Sequence, residues 1–346
     1  MPAIRPTLQE VAVLAGTSIP TVSKVLRGGT DVSATTRERV LKAVAATGYR
    51  ARASARPTAA TAVPALVDLV LTAVDNSWAA RALGGVEAAA AEAGIGIVIT
   101  VARDRDEWVT RLLRRRSEGA VIVGVGPTAM QLAGLTAASV PVVLVDPVVR
   151  PPDDIASVGA TNWEGGRSAG EHLVSLGHMR LGIIDGAHGT LFNDARVDGF
   201  RTALRHAGRG VPDRWVAHSE WSRIDGRRAA LPMLADADRP TALFACSESM
   251  AFGIYDAAAE LGLRIPDDLS VVGFDDLPEA QWASPPMTTV QQLTAGMGAT
   301  ALRILLDEIR QRSNGASASR SATRVELATR LIVRESTAPP PDLRLE

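Results

Sequence analysis

From residue 64 the chain repeats one pattern: a short, almost purely apolar run, then an alanine-rich amphipathic stretch. The runs ALVDLVLTAV (65–74), GIGIVITVA (94–102), GAVIVGV (119–125) and VPVVLVD (140–146) are separated by helical segments such as AARALGGVEAAAAEA (79–93). After IASVGATN (155–162) the alternation restarts with MRLGIIDG, a helix over 194–207, WVAHS, a helix over 226–235, PTALFAC, a helix over 248–261, and DLSVVGFDD. Strands apolar along their whole length, alternating with helices, predict parallel sheets covered on both faces. Two such series predict two doubly wound subdomains, with ligand groups at the carboxyl ends of their strands.

The first 56 residues differ in kind. They carry nine Lys/Arg (Arg5, Lys24, Arg27, Arg37, Arg39, Lys42, Arg50, Arg52, Arg56) against three acids, Glu10, Asp31 and Glu38. Against totals of 37 basic and 38 acidic residues, this leaves 28 basic and 35 acidic side chains in the rest. A basic head on an acidic body fits a chain that meets a polyanion at one end, although a solvated helical face has the same composition. No apolar run approaches the roughly 18 residues of a membrane span. The opening MPAIRPTLQE lacks the apolar core of a secretory leader, and the single cysteine, Cys246, has no internal disulfide partner. The expected location is the cytoplasm.

Thr7-Leu8-Gln9-Glu10 has the T-x-x-E form of a capping box, which starts a helix at Leu8. Leu8, Val11, Ala12 and Ala15 form its apolar stripe, and Gly16 supplies the stop. Ser18 caps a second helix with Pro20 in its first turn and Val22, Val25 and Leu26 inward. That leaves Ile19, Pro20, Thr21, Ser23 and Lys24 toward solvent or a partner. A third helix follows Ser33, with Val40, Leu41, Val44 and Ala45 inward and Gly48 at its end. This is helix-turn-helix geometry, whose second helix lies in a DNA major groove. A three-helix bundle without that role has the same local signals, and Ile19 packing inward is its natural companion.

The segment TLQEVAVLAGTSIPTVSKVLRGGTDVSATTRERVLKAVAATGYR (7–50) resembles the head of the LacI/GalR (lac repressor) family of bacterial transcription regulators almost position by position. SVGATNWEGGRSAGEHLVSLGHMRLGIIDG, RPTALFAC, GLRIPDDLSVVGFDD, PPMTTVQQ and LATRLIVREST resemble landmarks of its body, in family order. The resemblance implies an α plus α/β protein: a helix-turn-helix domain over 1–57, a hinge over 58–63, and a type I periplasmic-binding-protein-like body. Its subdomains would be 64–161 with 292–323, and 162–291 with 324–346. It implies a homodimeric, sugar-responsive repressor that binds palindromic double-stranded DNA and holds a small carbohydrate effector between its subdomains. The tail STAPPPDLRLE has no heptad pattern for a tetramerising helix.

By the same resemblance Ile19 and Pro20 touch base edges, Lys24 reads a base, and Thr21 and Ser23 sit near phosphates, with Thr7, Ser18 and Arg27 on the DNA side. Side chains such as Ile19 and Pro20 read DNA only through apolar contact, for instance with a thymine methyl. In the hinge the family presents a leucine wedge to the minor groove. This chain keeps Ala55 and Arg56 but has Pro57 and Thr58 where a small residue and leucine are usual. Pro57 costs a continuing helix a hydrogen bond. A shortened hinge is expected, with Arg52 and Arg56 on phosphates, and Thr58→Leu should tighten operator binding.

For the effector, the resemblance points to Asp146, Arg196, Trp221, Ser247 and Asp275. Asp75 and Trp78, after the first strand, and Trp282 at the rim complete the set. Carboxylates and an arginine suit adjacent hydroxyls, and tryptophan suits an apolar sugar face. The aspartates as turn caps, Arg196 as an ion pair and the tryptophans as core are the plainer readings of the same residues.

Enzyme chemistry finds little support. VGVGPTA (123–129) has the first two glycines of a dinucleotide fingerprint but Ala129 in place of the last. No G-x-S-x-G elbow appears. The five histidines show no metal-binding spacing, and His178 reads as the residue that finishes a helix after Gly177. No cofactor or metal is expected. A secreted sugar-binding protein would share the body but not the head.

Overall fold

The computed structural model describes residues 6–29, 31–50, 66–103, 107–115, 117–313 and 322–341. The hinge residues Arg52, Ala55, Arg56, Pro57 and Thr58 lie outside them.

Local capping chemistry builds the head. Helix α1 (Leu8–Leu14) opens on Thr7, which accepts the Glu10 N–H while the Glu10 carboxylate accepts the Thr7 N–H at 2.9 Å. The chain turns at Gly16 with φ 59°, and Ser18 accepts the Thr21 N–H to start α2 (Ile19–Leu26). Ser33 caps α3 (Ala34–Thr47), which stops at Gly48 with φ 65°. Val11, Ala12, Ala15, Val22, Val25, Leu26, Val40, Ala43 and Val44 form the core. One expectation is corrected: Ala45 is exposed and Ala43 is buried in its place. Leu41 is half-buried against this core, and a Cβ on Gly134 of the body would stand 3.0 Å from its Cδ2.

The first α/β series runs β1 (Leu66–Leu71), α4 (Ser77–Ala93), β2 (Gly96–Val101), α5 (Glu107–Arg115), β3 (Gly119–Val123), α6 (Ala129–Ala137), β4 (Val142–Val145) and β5 (Ala156–Ala160). The second runs α7 (Asn162–Ser175), β6 (Leu181–Asp185), α8 (Leu191–His206), β7 (Val216–His218), α9 (Arg223–Ala235), β8 (Ala242–Ala245), α10 (Glu248–Glu260), β9 (Ser270–Asp275), α11 (Pro278–Trp282) and β10 (Thr288–Gln291). The chain closes with α12 (Thr294–Ser313), β11 (Arg324–Leu327) and β12 (Arg330–Ile332).

Two six-stranded sheets result, ordered β11-β5-β4-β3-β1-β2 and β12-β10-β9-β8-β6-β7. The chain forms two compact units, one of 1–147, 151–158 and 295–325, the other of 148–150, 159–294 and 326–346. The strands from β1 to β5 pair in parallel, as do β6 to β10, whereas β12 runs antiparallel to β10. An antiparallel edge on an otherwise parallel sheet is common, because a returning tail meets no crossover constraint. Nor is β1 wholly apolar. Asp68 is fully buried in it, held by Thr100 at 2.9 Å and by Arg115 and Ser117.

Two helices of the second unit touch through glycine. A Cβ on Gly166 of α7 would lie 2.0 Å from the Arg196 carbonyl, and one on Gly199 of α8 would lie 2.0 Å from the Trp163 carbonyl. Backbones this close leave no room for a side chain between them. The contact sets Arg196 of α8 beside the first turn of α7, where Asn162 stands.

Candidate functional site

The exposed face of α2 carries the residues singled out for DNA. Ile19 is 38 % exposed, so it does not pack inward. Pro20 and Lys24 are exposed, and Thr21 and Ser23 are partly covered. Ser18 is tied to Thr21 through its hydroxyl at 2.8 Å, Arg27 Nε donates to the Ser23 carbonyl at 3.2 Å, and Lys24 pairs with Asp31. Thr7 is exposed, but its hydroxyl is engaged by the capping box.

In the first unit the candidates occupy the carboxyl edge of the sheet. Asp75 is exposed in the loop after β1. Trp78, in the first turn of α4, lies against Gly124 at the end of β3, 3.4 Å from where a Cβ there would stand. Asp146 follows β4 with φ 49°, and its N–H donates to the Val158 carbonyl at 2.8 Å.

The second unit gathers its candidates more tightly. Arg196 is buried, its Nε donating to Asn162 Oδ1 at 2.8 Å and its Nη1 to the Cys246 carbonyl at 2.6 Å. Its guanidinium lies over the Phe274 ring, 3.7 Å from the centroid, and Nη1 stands 3.7 Å from Asp275 Oδ1. Asp275 ends β9 and accepts from Gln292 Nε2 at 2.6 Å. Ser247, just beyond β8, spends its hydroxyl as the N-cap of α10, accepting the Met250 N–H at 3.3 Å. The Trp221 ring packs against Gly186: a Cβ there would fall 2.0 Å from the indole. Phe192 flanks it with a centroid separation of 5.3 Å. Trp282 ends α11 with 76 % of its surface exposed.

Burial decides the electrostatics. Glu248, at the start of α10, is pushed up to about 8, first by desolvation and then by the charge of Asp275. It accepts the Leu277 N–H at 2.9 Å and is bonded to Thr289 at 2.8 Å. At neutral pH it is therefore a neutral acid, and Asp275 is the carboxylate facing Arg196. The cluster presents one fixed cation, one fixed anion and an aromatic face, a set that matches vicinal hydroxyls on a ring.

The backbone is strained at the same residues. Among the described non-glycine residues, those with positive φ are Ser139, Asp146 (49°), Trp221 (61°), Asp275 (127°) and Asp276 (56°). Such conformations cost about 1–3 kcal/mol each and persist where the surroundings enforce them, commonly at ligand sites. Asn162, Phe192, Glu248 and Gln292 also belong to this cluster. Adjacency to strand ends is the only sequence signal of Asn162, Glu248 and Gln292, and Phe192, in the first turn of α8, has none.

A helix-turn-helix head with an open reading face, joined to a body with a preorganised polar cluster, defines a ligand-responsive DNA-binding regulator. Residues 7–51 match bacterial regulatory proteins of the lacI family, and residues 171–337 match a periplasmic binding protein-like domain. The transcriptional regulator CelR of Thermobifida fusca is 32 % identical over 344 residues, covering 96 % of this chain and 98 % of its own. A solved CelR–cellobiose complex superposes with a TM-score of 0.74 at 31 % identity, covering 96 % of this chain and all of that one. The lac repressor dimer bound to operator and the anti-inducer ONPF gives a TM-score of 0.69 at 26 % identity, covering 97 % of this chain and all of that one. The chain belongs to the LacI family of transcription regulators: it binds DNA under the control of an effector and is not an enzyme. No helix among the described residues is long and apolar enough to cross a membrane.

Proposed function

We propose that this regulator is a cytoplasmic homodimeric repressor of genes for uptake or breakdown of a carbohydrate, and that the carbohydrate is its effector. The observation that carries this reading is the Arg196–Asp275 pair, 3.7 Å apart on a buried scaffold, with Phe192 linking Arg196 to the Trp221 ring. A guanidinium fork and a carboxylate hydrogen-bond neighbouring hydroxyls, and the indole covers the apolar face of a pyranose. The cellobiose bound by CelR supports the same class of ligand. In the second unit Trp282 is a further candidate at the rim and Ser247 positions the start of α10; Trp78, Asp146 and Asp75 are the candidates of the first unit. A dimer sets two heads on a palindromic operator, with Ile19, Pro20 and Lys24 reading bases and Thr7, Ser18, Thr21, Ser23 and Arg27 near phosphates.

The effector acts by its differential affinity for two states of the regulator, only one of which suits the operator. The test is an operator gel-shift against disaccharides including cellobiose, monosaccharides and sugar phosphates. One member should change operator affinity in the wild type and leave Arg196→Lys unaffected. A wild type indifferent to every carbohydrate in the panel would overturn the reading.

A further inference from the structure

His188 and His218 are thirty residues apart, but the fold of the second unit brings them together, with Asp185 beneath. Their Nε2 atoms stand 3.1 Å apart, and the ring centroids are 4.0 Å apart. Behind this pair, His218 Nδ1 is bonded to a carboxylate oxygen of Asp185, which ends β6 and is buried. One donor atom from each of the three lies within 4.8 Å of the others. The cluster opens on a cavity of about 550 Å³ that Asp194, Asp198, Asp213 and the cation Arg201 also line.

We infer that His188 and His218 form a site for a divalent transition-metal ion of the zinc class, oriented by Asp185. The carboxylate holds the proton of His218 on Nδ1, so the lone pair on Nε2 faces His188. That carboxylate–imidazole arrangement lies behind most metal-binding histidines, where it fixes the tautomer and raises the basicity of the ligating nitrogen. Two nitrogens bound to one tetrahedral zinc at 2.0–2.1 Å stand about 3.3 Å apart, within a few tenths of the separation here. Without an ion, the His188 Nε2–H donates to His218 Nε2. A metal takes the place of that proton at Nε2, and His188 then carries its proton on Nδ1, so it binds as a neutral imidazole with no net proton released. The acids lining the cavity favour a cation there, and water would complete its coordination.

The ion would join the loop after β6 to the end of β7. His188 follows Gly186 by two residues, and His218 precedes Trp221 by three, so a bridge between them braces the loop pair on which the indole rests. The site is separate from the effector reading and stands or falls without it.

The test uses full-length protein without a histidine tag, stripped by chelator and titrated with zinc chloride alone. Both histidines are exposed, so His188→Ala/His218→Ala should fold normally. Calorimetry and metal analysis after gel filtration should show one equivalent held by the wild type and none by the double variant. Zinc should raise the melting temperature of the wild type alone. Asp185→Asn, which still accepts from Nδ1–H but carries no charge, should bind about ten- to a hundredfold more weakly. A wild type that holds no more zinc than the double variant overturns the proposal. So does an equivalent that survives in both.

Discussion

Arg196 and Lys24 each face an acid, in surroundings that differ in almost every respect. The side chains of Arg196 and Asp275 are 3 % and 8 % exposed, whereas those of Lys24 and Asp31 are 48 % and 61 % exposed. Arg196 is held by Asn162, the Cys246 carbonyl and the Phe274 ring, so its position is set before a ligand arrives. Lys24 is held by one flexible ion pair on a helix of eight residues. A buried reader gains selectivity from preorganisation, but its residues also carry stability. An exposed reader meets a polyanion with side chains free to rearrange, and its energetics answer to salt. Function and folding should thus be entangled in the first region and separable in the second.

The largest expected effect tests the entanglement through Glu248. In the folded chain its carboxyl titrates near 8, against an ordinary value of 4.5. Between those values the unfolded chain ionises this group while the folded chain keeps it protonated. Stability therefore falls as pH rises from about 4.5 and levels off above about 8. A glutamine at this position cannot ionise, and its amide can accept from the Leu277 N–H and donate to Thr289. Glu248→Gln should be more stable than the wild type at pH 8.5 by roughly 4–5 kcal/mol, the difference vanishing near pH 4.5. Urea unfolding across that range measures it, and parallel curves for the two proteins would show that Glu248 does not carry the buried proton.

Two smaller effects separate the components of the buried reader. Arg196→Lys keeps the charge but loses the planar fork that bonds Asn162 and Cys246 simultaneously. Effector affinity should fall about 100-fold in titration calorimetry, with a lowered melting temperature and unchanged operator binding. Gly186→Ala puts a methyl where the indole of Trp221 lies. The ring must move, and effector affinity should fall about tenfold with little loss of stability. Unaltered effector binding in Gly186→Ala would remove the Trp221 ring from the site.

How much of this was legible in the sequence follows the range of the interactions. The head's helix boundaries depend on contacts three or four residues long, such as Thr7 with Glu10 and Ser18 with Thr21, and the sequence displays them directly. Ala45 was misassigned because Ala43 and Ala45 are alike in the sequence, and only the packing of α3 on α1, α2 and Ala137 of α6 decides which of them is buried. The alternation of strand and helix was legible, but the antiparallel return of β12 and the burial of Asp68 depend on pairings between distant segments. Arg196 and Asp275 were named through resemblance, while Asn162, Glu248 and Gln292 were not, since their partners are remote in the chain. The His188–His218 pair escaped for the same reason: spacing rules find metal ligands that share one helix or one loop, and these lie on a loop and on a strand end thirty residues apart.

The smallest effect tests the exposed reader. The hydrogen bond from Lys24 holds the Asp31 carboxyl below its usual range, so the acid stays ionised at any pH where the head binds DNA. It therefore competes with the operator for the one lysine on the reading face of α2 and sets a negative charge near the phosphates. Asp31→Asn removes both effects and touches no core residue. Operator affinity should rise about threefold at low salt, with the gain fading as the ionic strength shortens the screening length. Lys24→Ala should weaken binding, and adding Asp31→Asn to it should recover only the part due to repulsion of phosphate. The difference between the two gains measures the competition for Lys24. If Asp31→Asn helps equally with and without Lys24, the ion pair is incidental and the acid acts on DNA alone. If it weakens binding, the pair positions Lys24 for the groove, and the exposed reader is as preorganised as the buried one.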